Sequence, residues 1–221
     1  MSLLLELTAL SRAPAEPGWL AEDERARAAS LGDALRGRQF LAGHSLARRL
    51  AAELAGGDPW QWRLEVADDQ RRVLRRSGAD ELGVSISHAG DSLAVVVATR
   101  PVGIDIESTG RGRDWLALGR TMFSPEENEA LRAAGPDALE SVFLRTWTLK
   151  EAWSKRSGRG LQRQEARRCG ALPAAPAEAE ARHWVLPGGR QLSLAAWPGA
   201  ELRAPGLPAA AGHWSYRERA D

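Results

Sequence analysis

Cysteine is almost absent. Cys169 is the only one in 221 residues, so no internal disulfide and no cysteine-based metal cluster is available, which excludes a disulfide-stapled secreted scaffold. An excess of either charge is missing too. Thirty Lys+Arg against 29 Asp+Glu leave a net charge of +1, without the strongly basic signature of a general nucleic-acid binder. Long apolar runs are also lacking: the longest uninterrupted one, Leu93 to Ala98, is far short of the roughly 20 residues that a membrane-spanning helix requires. The start, Met1-Ser2-Leu3-Leu4-Leu5-Glu6-Leu7, has no basic stretch, and Glu6 breaks its apolar run, so it reads as a strand and not as a signal peptide. These absences point to a cytoplasmic protein whose partners are neither nucleic acid nor membrane. Lysine is the scarce cation. Only Lys150 and Lys155 are lysines and the other 28 cations are arginine; compositional drift explains the bias, and it singles out the one segment that holds both.

What is present is globular: 43 % hydrophobic and 27 % charged residues in a length that buries a substantial core. The chain reads as two α+β halves, residues 1–101 and 102–221. After the opening strand, Trp19 to Leu31 carries helix formers, and Asp33 can cap a helix running to about Leu54, with Leu46, Leu50 and Leu54 at i+4 steps. Gly56-Gly57-Asp58-Pro59 stops it. Strand candidates follow at Gln61–Val66, Arg72–Arg75, Val84–Ser87, Leu93–Thr99 and Val102–Glu107. The Leu93–Thr99 segment is β-branched and almost wholly apolar, so it is expected at the centre of a sheet, paired with Val84–Ser87 across a turn at Ala89-Gly90-Asp91. In the second half Ser124-Pro125-Glu126-Glu127 is a helix start with a capping box. Asp137 with Glu140 offers the same signal for a helix ended by Gly158. Ala171 to Ala181 reads as an exposed loop, and strands are expected at His183–Leu186, Gln191–Trp197 and Trp214–Arg217. The many tryptophans read as core anchors.

Three carboxylates form the chemical centre of the sequence. In Val102-Gly103-Ile104-Asp105-Ile106-Glu107 the two acids stand at i and i+2 of a strand and share one face, while Ile104 and Ile106 take the other. Like charges side by side repel unless solvent separates them or a cation sits between them, and hard oxygen ligands suit Mg²⁺. A solvated edge strand carries the same pattern. The segment Phe143 to Lys155 adds Trp147, Glu151 and Lys155 at i, i+4 and i+8 of a helix, one stripe bearing an aromatic, an acid and a base. Glu151 is then a candidate third ligand or base and Lys155 a candidate phosphate partner; the plain alternative is a surface Glu–Lys pair.

At these residues the sequence resembles a known family. Phe123-Ser124-Pro125-Glu126-Glu127, the Val102–Glu107 segment, Trp147-x-x-Lys150-Glu151-x-x-x-Lys155, and Ser85-Ile86-Ser87-His88 ahead of the central strand occur in the order and approximate spacing of Sfp-type 4′-phosphopantetheinyl transferases. The Lys155–Leu161 continuation, with Gly158-Arg159-Gly160-Leu161, matches the family's ending, and Arg38 and Arg48 fit its basic N-terminal helix. The likeness spans roughly residues 20 to 165. It implies an α+β fold of two similar halves related by a pseudo-twofold, in a monomer. It also implies Mg-dependent transfer of 4′-phosphopantetheine from coenzyme A to a serine of an apo acyl or peptidyl carrier protein, releasing adenosine 3′,5′-bisphosphate. By this resemblance Asp105, Glu107 and Glu151 hold Mg²⁺, Glu151 also serves as base directly or through a water, and Lys155 pairs with phosphate oxygens. Ser87, His88, Arg38 and Arg48 contact coenzyme A. Arg71 stands where relatives often carry a lysine in Gly-Lys-Pro, Arg27 and Arg25 are candidates for the 3′-phosphate, and Glu127 is allowed near the metal, although its capping-box position already explains it.

Two other functions use similar residues. A metal-dependent nuclease also combines strand acids with a nearby Glu and Lys, but its lysine usually follows two residues after the second acid, where Thr109 stands here. A catalytically silent carrier-protein binding module has no use for three clustered acids and a lysine.

Overall fold

The apolar run at Leu93 to Ala98 is fully buried because it lies between two strands in the middle of a sheet. A computed structural model describes residues 2–110 and 112–218. The chain divides into one unit of Met1–Val102 with Ala200–Leu207 and another of Gly103–Gly199 with Pro208–Asp221. The first contains β1 (Ser2–Ala9), α1 (Glu22–Ser30), α2 (Ala34–Ala55), β2 (Arg63–Val66), β3 (Arg72–Arg75), β4 (Leu82–Ala89) and β5 (Ser92–Ala98). The second contains β6 (Gly103–Glu107), α3 (Trp115–Met122), α4 (Pro125–Ala133), α5 (Gly135–Ser157), α6 (Arg163–Arg168), β7 (Cys169–Pro173), β8 (Ala181–Val185) and β9 (Gln191–Ala195). Of the last two strands, β10 (Glu201–Arg203) pairs in parallel with β1 and β11 (Gly212–Glu218) joins β7 and β8. The fold class is α+β.

In the first unit the sheet order is β10-β1-β5-β4-β3-β2. The predicted hairpin of β4 and β5 forms over a two-residue turn at Gly90-Asp91, with Gly90 at φ +57 supplying the left-handed conformation such a turn needs. Asp33 starts α2 by accepting from the Leu35 and Arg36 amides. Ala42, Leu46, Ala47, Leu50 and Ala51 of that helix then pack on Leu74, Leu82, Val84, Leu93, Val95 and Val97 of the sheet. The helix reaches the strands closely at Gly43, where a Cβ would lie 2.9 Å from Ile86 Cγ2.

In the second unit the order is β6-β9-β8-β11-β7, antiparallel throughout, with α5 packed along it. The Ser124 capping box forms as expected: the Glu127 amide donates to Ser124 Oγ, and the Ser124 amide donates to Glu127 Oε2 at 2.8 Å. Gly158, left-handed at φ +73, ends α5.

Several expectations need correction. Trp19 to Leu31 is not one helix: a 3₁₀ turn occupies Pro17–Trp19, and α1 starts at Glu22 because the Glu24 carboxylate takes the Ala21 amide. Asp137 does not cap α5, which begins at Gly135; Glu140 instead accepts from the Gly110 amide. Ala171–Pro173 is strand and not loop, since β11 offers it a complete ladder. The β4 strand also runs further than Val84–Ser87 and takes in His88, paired with Leu93.

Candidate active site

Gly103 decides which side chains of β6 meet α5. A Cβ there would sit 1.9 Å from the Ala152 carbonyl oxygen and 2.6 Å from the Arg156 amide nitrogen, both backbone atoms of the helix. Only glycine lets α5 lie so close to the strand. Because side chains alternate along a strand, Asp105 and Glu107 share the face of Gly103 and point toward the same helix, while Ile104 and Ile106 are buried on the other face. The expected one-sided acid pair is thus also the pair nearest Glu151 and Lys155.

The electrostatics follow from that approach. Lys155 Nζ donates to Asp105 Oδ1 at 2.7 Å and to the Ile104 carbonyl at 3.0 Å, reaching the strand instead of pairing with Glu151 on its own helix. Asp105 is only 6 % exposed, whereas the Lys155 side chain keeps 31 % of its surface. Burial raises the Glu151 carboxyl above the ordinary carboxylate range, and the charges of Asp105 and Glu107 raise it further against the opposing pull of Lys155. Glu151 therefore feels both strand acids. Among the described residues no three His, Cys, Asp or Glu side chains converge as a metal-ligand group; in this geometry the cation on Asp105 is the Lys155 ammonium. The donor chemistry still fits a hard divalent ion, because all three groups are carboxylates and the repulsion registered at Glu151 is the kind a cation removes.

Beside Glu107 opens a cavity of about 280 Å³ walled by Arg113, Trp115, Met122, Phe143 and Trp147 among others. Trp147 thus faces a cavity and is more than a core anchor. No motif in the sequence marked Arg113 or α3; the signal available was the apolar spacing of Trp115, Leu118 and Met122.

Lys150 and Glu127 lie elsewhere. Lys150 is fully buried, and its ammonium meets Glu127 Oε2 at 2.8 Å, the Ala166 carbonyl at 2.5 Å and the Cys169 carbonyl. Glu127 also accepts from the Ser124 and Ala171 amides. Every oxygen of that carboxylate is engaged in tying α4, α5 and β7 together, so Glu127 acts in the core.

The remaining candidates belong to the first unit. Arg48 has its side chain 1 % exposed and donates to Glu24 Oε2 at 2.5 Å and to the His44 carbonyl. Glu24 in turn meets His44 Nδ1 at 2.7 Å. Burial pushes the Glu24 carboxyl up, but the hydrogen bonds from His44, Arg48 and the Ala21 amide outweigh it and hold it at about 2. Arg48 is therefore part of a buried ion pair, a role the helical pattern gave no hint of. Arg25 donates to the Leu20 carbonyl, Arg38 to the Leu10 and Ser11 carbonyls, and Arg71 is bound by Asp69. Arg27 is exposed on α1, His88 is exposed on β4 and Ser87 is buried beside it.

Comparison with known proteins points to one family. Residues 101–189 match the family model described as the 4′-phosphopantetheinyl transferase superfamily. The chain is 31 % identical over 170 residues to the 4′-phosphopantetheinyl transferase HetI of Nostoc sp., covering 76 % of this chain and 72 % of that protein. It is 31 % identical over 121 residues to a 4′-phosphopantetheinyl transferase of Bacillus subtilis, covering 55 % of this chain and 52 % of the relative. With 4′-phosphopantetheinyl transferase AcpT of Escherichia coli (strain K12) it shares 36 % identity over 78 residues, 35 % of this chain and 40 % of the relative. The chain thus spans about half the length, or less, of the latter two.

Proposed function

This chain belongs to the 4′-phosphopantetheinyl transferase superfamily, and from that premise we propose that it moves the 4′-phosphopantetheine group of coenzyme A onto a serine hydroxyl of an apo acyl or peptidyl carrier protein. The serine oxygen attacks the phosphorus bearing the pantetheine arm, and the bond to the other phosphate breaks, so that adenosine 3′,5′-bisphosphate leaves. The observation that carries this reading is the close Gly103 contact, which puts Lys155 on Asp105 and leaves Glu151 under the charges of Asp105 and Glu107.

Each group has a part in that reaction. Asp105, Glu107 and Glu151 are the residues that would hold Mg²⁺. Bound there, the ion supplies charge neutralisation on the pyrophosphate and orients it. Glu151, with its carboxyl raised above the usual range, has more affinity for a proton than an ordinary carboxylate and takes the serine proton, directly or through a water. Lys155 is part-exposed on a flexible stem, and its ammonium can turn from Asp105 to a phosphate oxygen as the charge there develops. The cavity beside Glu107 gives the aliphatic arm an apolar wall.

Liquid chromatography of adenosine 3′,5′-bisphosphate tests this. Release should require coenzyme A, Mg²⁺ and an apo carrier together, and should stop with a chelator. Asp105→Asn and Glu151→Gln should each lower the rate at least a hundredfold while the protein stays folded, in line with removing a carboxylate that would hold the ion or take the proton. Release that persists undiminished in the chelator, or in either variant, contradicts the assignment.

A further inference from the structure

A buried chain of hydroxyl, imidazole and amide groups runs from α5 into the sheet, and nothing in the transfer chemistry uses it. Thr148 Oγ1 on α5 lies 2.8 Å from Ser193 Oγ on β9. Ser193 Oγ lies 3.0 Å from His183 Nδ1 on β8, and His183 Nε2 lies 2.8 Å from Gln191 Oε1. Gln191 Nε2 then reaches the Gly189 carbonyl at 3.0 Å and Ser141 Oγ, back on α5, at 3.3 Å. Thr148 and Ser193 are wholly buried and His183 is 2 % exposed.

Proton positions along this chain follow from one group. A carbonyl can only accept, so the Gly189 oxygen fixes the amide of Gln191 with its NH₂ toward Gly189 and its oxygen toward His183. His183 must then carry its hydrogen on Nε2 and accept at Nδ1, and Ser193 must be the donor to Nδ1. Ser193 has spent its hydrogen, so the Thr148 hydroxyl donates to it at 2.8 Å in preference to the Arg145 carbonyl at 3.1 Å. The result is a one-directional chain, Thr148 to Ser193 to His183 to Gln191 to Gly189, with each member satisfied only while its neighbour holds its place.

The register shows what the chain secures. Asp105 on β6, Ser193 on β9 and His183 on β8 are direct cross-strand partners in a single row, so all three face α5. Thr148 is three residues before Glu151, and Ser141 is two helical turns before Thr148. α5 is thereby fixed at Thr148 to the row that holds Asp105 and at Ser141 to Gln191, the cross-strand partner of Glu107. We infer that Ser193 and Thr148 are positioning residues for the carboxylate cluster: their hydrogen bond sets where α5 presents Glu151 and Lys155 to Asp105. The inference rests on the transferase reading for its kinetic consequence alone.

Two readouts separate positioning from bulk stability. The chain has two lysines and Lys150 is fully buried, so acetylation of the free folded protein by an acyl ester reports on Lys155, quantified by peptide mass mapping. Ser193→Ala and Thr148→Val should acetylate Lys155 several-fold faster than the parent protein. They should also lose roughly tenfold in kcat, as removal of an outer-layer partner does, with KM for coenzyme A retained. Thr148→Ser should restore both readouts. Thr146→Val, which removes a hydroxyl bonded only within α5 to Val142, should change neither. Ser193→Ala and Thr148→Val proteins that melt at lower temperature yet keep the parent acetylation rate and kcat would overturn the inference. A parent protein that transfers nothing would instead overturn the functional reading, and the acetylation comparison would still decide the positioning.

Discussion

Lysine survives at two positions in a chain that otherwise uses arginine, and the two surroundings explain why. At Lys150 three acceptors surround one nitrogen: Glu127 Oε2, the Ala166 carbonyl and the Cys169 carbonyl. A tetrahedral ammonium with three hydrogens satisfies them all, and a planar guanidinium would not fit that pocket without leaving donors buried and unmet. Lys155 bridges a carboxylate and a carbonyl of one strand while keeping a part-exposed stem. His183 makes a second point at this scale. Burial pushes its imidazole down to about 4, so the folded protein excludes a proton that the unfolded chain accepts at the ordinary histidine value of 6.5. The unfolded state therefore binds more protons between pH 6.5 and 4, and stability falls as pH drops through that window. The single group contributes roughly 3 kcal/mol of loss by pH 4, and His44, lowered chiefly by burial, adds to it. Urea denaturation at pH 7 and pH 4.5 should show this slope, and His183→Gln should flatten it; an unchanged slope in the variant would contradict the assignment.

At the scale of elements, the glycine under α5 matters more than any propensity. Gly103→Ala should force the helix off the strand, costing about 1–3 kcal/mol of stability by overpacking. It should lower transfer by more than that loss explains, because Glu151 and Lys155 move with α5. Thermal denaturation beside the transfer rate checks it, and an alanine variant with parental rate would contradict the close approach. The capping box at Ser124, the hairpin of β4 and β5, and the buried centre at Leu93 to Ala98 were all legible in the sequence, since each rests on local chemistry. Elements whose reason is tertiary were not. β7 is an alanine-rich stretch that becomes a strand because β11 pairs with it, and β10 is three residues held by β1. α1 starts where Glu24 takes a backbone amide, not where the helix formers begin. The acids and Lys155 were readable from spacing and resemblance, but the partner of Lys155 was not: i, i+4 spacing pointed to Glu151, and the packing at Gly103 delivers Asp105.

For the whole molecule, a net charge of +1 conceals a local concentration of charge: where β6 and α5 touch, Lys155 sits on Asp105 and the charges of Asp105 and Glu107 act on Glu151, while other charged groups of the same unit pair apart from it, as Arg156 does with Glu180 and Arg159 with Glu218. The Arg48–Glu24–His44 cluster likewise shows a basic helix residue serving the core of the first unit. No described helix is long and apolar enough to cross a membrane. The central claim is that the acid cluster transfers phosphopantetheine, and the intact mass of an apo acyl carrier protein tests it most directly. After incubation with coenzyme A, Mg²⁺ and the parent protein, the carrier should gain the mass of one phosphopantetheine, and with Glu151→Gln, folded by circular dichroism, it should stay apo. A carrier panel left unmodified by the parent protein, or modified equally by Glu151→Gln, would contradict the account.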